Sequence, residues 1–87
     1  MNVKAKTLSF IRRGPKRKEI LLQLNKNRVT AIDLVKITKM YKSHVSRALN
    51  ELKIKKLIKC ENPKDRAFRY YSITQKGSKI LKELRLF

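Results

Sequence analysis

The chain has 87 residues, with 24 Lys and Arg against six Asp and Glu, a net charge of +18. That length allows one small core of three or four elements and no second domain, and no apolar run approaches the ~20 residues of a membrane span. The basic N-terminus lacks the apolar stretch of a secretory leader and the lone Cys60 has no internal disulfide partner, so a cytoplasmic, nucleoid-associated location is expected.

Residues 1–13 form an N-terminal segment in which Leu8, Phe10 and Ile11 could make a short helix capping the core. Gly14-Pro15 punctuates the chain, and Pro suits the first turn of a helix. A first core helix is expected over 15–27, with Ile20, Leu21 and Leu24 inward and Asn25 and Asn27 at its end. Thr30 opens the next helix, 30–38, because "TAID" places an Asp three residues after a Thr, the spacing of a reciprocal cap. Leu34, Val35 and Thr38 should face the core.

Only "KMY" separates this helix from a third over 42–55, and so short a joint forces the two to cross sharply, as in a helix-turn-helix. In the third helix Val45, Ala48, Leu49 and Leu52 fall within a stripe about 100° wide. Ser43, Arg47 and Asn50 point the opposite way, flanked by Ser46 and Glu51. The period then changes. "LIKCEN" (57–62) and "FRYYSIT" (68–74) are β-prone runs around the charged tip "PKDRA", giving a hairpin over 57–74. Thr74 caps a last helix over 75–87, in which Ile80, Leu81 and Leu84, which Phe87 could extend, make an apolar stripe; Ile80, Leu81 and Leu84 serve both core and dimer seam. The whole chain, 1–87, therefore reads as one α+β domain, mostly α: a winged helix-turn-helix with a three-helix core, a β-hairpin wing and a C-terminal helix.

Charge is spread through this domain. Residues 1–29 hold nine basic and one acidic residue (+8), 30–59 eight and two (+6), and 60–87 seven and three (+4). Such a surface attracts polyanions. Base readout would fall to Arg47, which can pair with guanine O6 and N7, and Asn50, which can pair with adenine N6 and N7. Phosphate contacts would come from Lys42, Arg47, Lys53, Lys64, Arg66 and Arg69, and from Thr30 and Tyr41 at helix starts, where backbone amides favour anions.

Residues 15–82 resemble the winged-helix transcriptional regulators of the MarR-like and broader archaeal kind, chiefly through "SHVSRALNEL", "LIKCENPKDR" and "YYSITQKG". The Lys- and Ile-rich, nearly glycine-free composition is also similar to archaeal proteins. The resemblance implies a homodimer on double-stranded DNA, helix 42–55 in the major groove and the wing on the adjacent backbone or minor groove. It places the recognition face on Lys42, Ser43, His44, Ser46, Arg47 and Asn50. The wing falls on Lys64, Asp65 and Arg66, with Asp65 organising it rather than touching DNA.

Three features depart from the pattern. Lys39 and Lys56 stand where such proteins often have Gly, so each must accept a left-handed backbone or shift its turn, at about 1 kcal/mol. Ala67 replaces a second wing cation, which argues against deep minor-groove insertion. The long dimerisation helices are missing, so a dimer must use the short terminal segments.

Other residues have ordinary roles. Cys60 should be half-buried in its strand, Tyr70 and Tyr71 should face opposite sides, and Ile32, Ile37 and Ile54 fall off the core stripes. One His, one Cys and two isolated glycines build no catalytic constellation, metal site or phosphate loop, so no enzyme, cofactor or metal is expected, and no small-molecule effector is evident. Two readings of the DNA partner remain. One is a transcriptional regulator; the other is an architectural, chromatin-type protein with little sequence preference, which the dispersed charge suits.

Overall fold

Gly14 and Pro15 break the first helical stretch in two. The computed structural model describes residues 3–65 and 68–84. Among them α1 runs Val3–Arg12 and α2 Pro15–Lys26, with Pro15 at the start of α2, where its missing N–H is no loss. Then follow β1 (Val29–Thr30), α3 (Ala31–Thr38), α4 (Lys42–Ile54), β2 (Ile58–Cys60), β3 (Tyr70–Ile73) and α5 (Gln75–Glu83). The terminal part of the 75–87 helix beyond Leu84, Phe87 included, lies outside the described residues.

The core gathers one stripe from every helix. Ile11 of α1, Ile20, Leu21 and Leu24 of α2, Leu34 of α3, Val45, Ala48, Leu49 and Leu52 of α4 and Ile80 and Leu81 of α5 are all buried, with Leu57 and Ile58 below them. Within the N-terminal segment Val3–Arg12 is helical, and its Ile11 is wholly enclosed. Ile80 and Leu81, expected to divide their role between core and dimer seam, are 4% and 0% exposed within the single chain. Of that stripe Leu84 alone among the described residues is only partly buried, so the seam loses two of its expected members.

Both corners of α4 depend on a lysine in the left-handed region. Lys39 (φ 59°) ends α3, its N–H donating to Val35 O at 2.9 Å, the single-bond left-handed cap. Lys56 (φ 62°) ends α4 in a Schellman cap. Leu57 N–H reaches back to Leu52 O at 3.0 Å, Lys56 N–H to Lys53 O at 2.9 Å, and the fully buried Leu52 and Leu57 meet beneath. The turns have kept the conformation glycine would favour, with a cation in its place.

The sheet is antiparallel in the order β1-β3-β2, with Thr30 opposite Tyr70 and Lys59 opposite Ser72. The strand pair is shorter than the 57–74 hairpin suggests, and the two-residue β1 adds a third strand. Gly77 locks α5 against this sheet: a Cβ there would meet the Leu57 carbonyl and the Ile73 side chain. Thr74 Oγ1 completes the joint, accepting from Gly77 N–H at 3.1 Å and donating to Lys56 O at 2.8 Å.

Candidate nucleic-acid interface

The candidate interface begins with the short joint 39–41. Thr30 and Asp33 close a reciprocal cap (3.1 and 3.2 Å) that fixes the start of α3. At its other end Thr38 Oγ1 donates to Leu34 O (2.6 Å) and accepts from Met40 N–H (3.3 Å). The chain then enters α4 through Tyr41, whose carbonyl accepts from the His44 and Val45 amides. With Val45, Ala48, Leu49 and Leu52 drawn into the core, the opposite stripe is driven outward. Lys42, Ser43, Ser46, Arg47, Asn50 and Lys53 are all exposed.

Two grooves flank that stripe. One lies toward the sheet and is lined by Ala31, Ser46, Leu49, Asn50, Lys53, Arg69 and Tyr71. It brings Arg69, a wing residue, beside Asn50 and Lys53. The other lies toward the start of α2 and is lined by Gly14, Pro15, Lys16, Arg17, His44, Arg47, Ala48 and Glu51. His44 is half-buried there, its ring edge-on to the 77%-exposed Tyr41 at 5.7 Å between centroids. Arg17 is occupied: Nε donates to Glu51 Oε1 (3.1 Å), a terminal nitrogen donates to Phe10 O (2.6 Å), and the guanidinium sits 4.0 Å above the Phe10 ring. It holds α1, α2 and α4 together. Lys16, in contrast, is exposed beside Arg47. Residue spacing gave no sign of it, because the groove joins residues about thirty positions apart.

The wing is organised by polar side chains. Asn62 Nδ2 donates to Phe68 O (2.6 Å), and its Oδ1 accepts Tyr70 N–H (2.7 Å), so one amide staples the two arms. Asp65 Oδ1 accepts Phe68 N–H (2.9 Å), while the Asp65 carbonyl accepts from Arg69 Nε (2.9 Å). At the base of the wing Arg28 bonds Glu61 at 3.0 Å and lies over the Tyr70 ring. Lys64 is exposed at the tip, and Arg66 lies outside the described residues. Cys60 is half-buried; Tyr70 is exposed and Tyr71 packs on the core.

One residue of the expected set is largely enclosed. Thr30 is 8% exposed, its hydroxyl accepts the Asp33 amide and its own amide is bound by the Asp33 carboxylate, so its cap engages both groups and only the hydroxyl hydrogen is left to donate. Among the described residues no cluster of His, Cys, Asp and Glu could hold a metal ion, and no helix is long and apolar enough to cross a membrane.

A sharp helix pair, an outward polar stripe on its second member and a neighbouring hairpin define a winged-helix domain of the DNA-binding type. Comparison with known proteins makes the class specific. The profile described as "Bacterial regulatory protein, arsR family" matches residues 14–59, more than half of the chain, and the chain belongs to that family. Its fold is shared with a mutant of Lactococcus lactis ZitR (TM-score 0.74, 24% identity, 84% of this chain and 51% of that one). A MarR family transcription regulator superposes equally well, with TM-score 0.73, 27% identity and 82% and 48% coverage. The adhesin competence repressor AdcR of Streptococcus pyogenes aligns over 94% of this chain and 65% of its own, with TM-score 0.74 and 20% identity. The chain spans about half the length of the first two. No match was found among curated protein sequences.

Proposed function

We propose that this chain is a DNA-binding transcriptional regulator that lays α4 in the major groove and rests its wing on the adjacent backbone. The observation that carries the reading is the open stripe of Ser43, Arg47 and Asn50, bordered on both sides by grooves that bear exposed cations. Arg47 and Asn50 are the base-reading residues. Lys42, Ser43, Ser46, Lys53, Lys64 and Arg69 hold phosphates, joined by Tyr41 and His44 at the helix start and by Arg66 in the wing. Lys16 is added to the set for its place beside Arg47. Asp65 shapes the wing.

Two copies joined through the terminal helices would present two such stripes to a pseudo-palindromic site. With Ile80 and Leu81 enclosed, the seam falls to the half-buried Leu8 and Leu84. The regulator acts through its own abundance or a partner rather than a small effector, and it resides on the nucleoid. A second reading, DNA coating with little preference, draws support from the spread of the +18 charge along the chain.

In vitro selection of bound duplexes at two salt concentrations, with Arg47→Ala alongside, tests the proposal. Specific and random DNA should differ at least ~10³-fold in affinity, and Arg47→Ala should blur the selected motif. A ratio near unity supports the coating reading instead.

A further inference from the structure

A second cationic surface lies away from the α4 stripe, and nothing in the reading above uses it. Between α1 and the C-terminal end of α4 a shallow groove is lined by Ala5, Lys6, Ser9, Phe10, Arg13 and Lys55, with no acidic residue among them. Lys6, Arg13 and Lys55 are all exposed, and among the described residues none of the three pairs with a carboxylate. The Lys55 ammonium lies 5.4 Å from the centroid of the half-buried Phe10 ring, which steadies it at the rim. Lys76 Nζ donates to the Lys55 carbonyl at 3.1 Å and adds a fourth ammonium at the same corner. Glu51, the acidic residue one turn before Lys55 on α4, is already bound to Arg17.

This surface faces elsewhere than the reading stripe. At 100° per residue, Lys55 sits about 110° round the α4 axis from the Ser43–Arg47–Asn50 direction and about 18 Å along it from Ser43. A straight duplex seated on the stripe therefore runs away from it. On α1, Lys6, Phe10 and Arg13 fall on one side at helical spacing, while Leu8, the proposed dimer residue, falls on the other flank. A dimer made through Leu8 and Leu84 leaves the cationic side open. Like charges gathered without counter-charge weaken a fold unless a polyanion is at hand.

We propose that Lys6, Arg13 and Lys55, grouped around Phe10, hold the phosphate backbone of a second DNA duplex, so that the protein bridges two duplexes while α4 occupies one. The inference rests on the DNA-binding reading above. Its partner is recognised by phosphate alone and without base preference.

The test uses the chain with one duplex immobilised on beads and a second, labelled duplex in solution, at about 50 mM salt, where phosphate contacts are strong. The wild type should capture the labelled duplex. The triple variant Lys6→Gln, Arg13→Gln, Lys55→Gln should lower that capture by roughly tenfold or more, with binding to a single duplex changed less than about threefold. A matched variant, Lys26→Gln, Lys36→Gln, Lys79→Gln, removes the same charge from other exposed positions and should still bridge. Thermal unfolding checks that both variants keep the fold. Bridging that survives in the triple variant overturns the inference. So does equal loss in the matched variant, which would mean that only net charge acts. Loss of single-duplex binding in step with bridging also overturns it, by placing the surface on the same duplex. A wild type that binds one duplex and captures no second sinks this inference alone; one that binds no duplex sinks the DNA-binding reading itself.

Discussion

The two flanks of α4 are built in opposite ways. On the α2 side the groove is fixed by packing and by one shared guanidinium: Arg17 binds Glu51, the Phe10 carbonyl and the Phe10 ring at once, partly shielded from water. On the wing side the positions of Lys64 and Arg69 depend on exposed hydrogen bonds from Asn62 and Asp65. Exposed bonds compete with water and stabilise little each, whereas shielded ones resist opening. The α2 flank should thus be preformed for DNA and the wing flank adaptable. Firmness comes from where the polar groups sit, since both flanks carry similar charge.

Salt should produce the largest effect and act on both flanks. For a dimer making roughly 8 phosphate contacts, affinity falls by on the order of 10⁴ between 50 and 200 mM salt. Lys16→Gln on the α2 flank and Lys53→Gln on the wing flank each remove one contact per subunit and should each lower the dimer's log–log slope by about 1.8, measured by fluorescence anisotropy over a salt series. A slope unmoved by Lys16→Gln would remove the α2 flank from the interface.

Next in size is the platform beneath the wing. Gly77→Ala must push a methyl toward the Leu57 carbonyl and the Ile73 side chain. A cost of about 1–3 kcal/mol is expected, with Tm falling by about 4–8 °C for each kcal/mol. Arg47→Ala should lose ~1–3 kcal/mol of discrimination at one base position and leave Tm almost unchanged, because the residue is exposed. Asn62→Ala sharpens the contrast between the flanks. It removes two exposed bonds, so stability should fall by only about 1 kcal/mol while hydrogen exchange speeds at the Tyr70 amide and leaves α4 protected. If α4 loosens as well, the flanks are one unit and the comparison fails. The smallest effect belongs to the corners: Lys56→Gly should raise stability by about 1 kcal/mol or less in a denaturant titration, through relief of its left-handed backbone.

Much of this was legible because it is local. The Thr30–Asp33 cap follows from a spacing of three and the start of α2 from Pro15; at Lys39 and Lys56 the resemblance to proteins with Gly there left a left-handed backbone or a shifted turn, and the backbone is left-handed at both. The outward stripe of α4 follows from the 3.6-residue period of its apolar partners. What was not legible depends on partners far along the chain. The strand β1 is two residues long and carries no alternation; it exists because Tyr70 and Tyr71 lie opposite it. Asn62 read as the end of a strand, yet its side chain replaces the ladder and staples the wing. The cap at Thr30 was legible, yet its enclosure to 8% exposure depends on what packs around it.

The sequence by itself determined the helices, their inward faces and a strongly basic surface, since periodicity and capping act over three or four residues and charge needs no partner. Tertiary structure decided which cations are free and which are engaged: Arg17 and Lys16 are near neighbours in sequence, yet one braces three helices and the other faces solvent beside Arg47. Side-chain availability is set by what the fold packs against each group, and that packing is long-range.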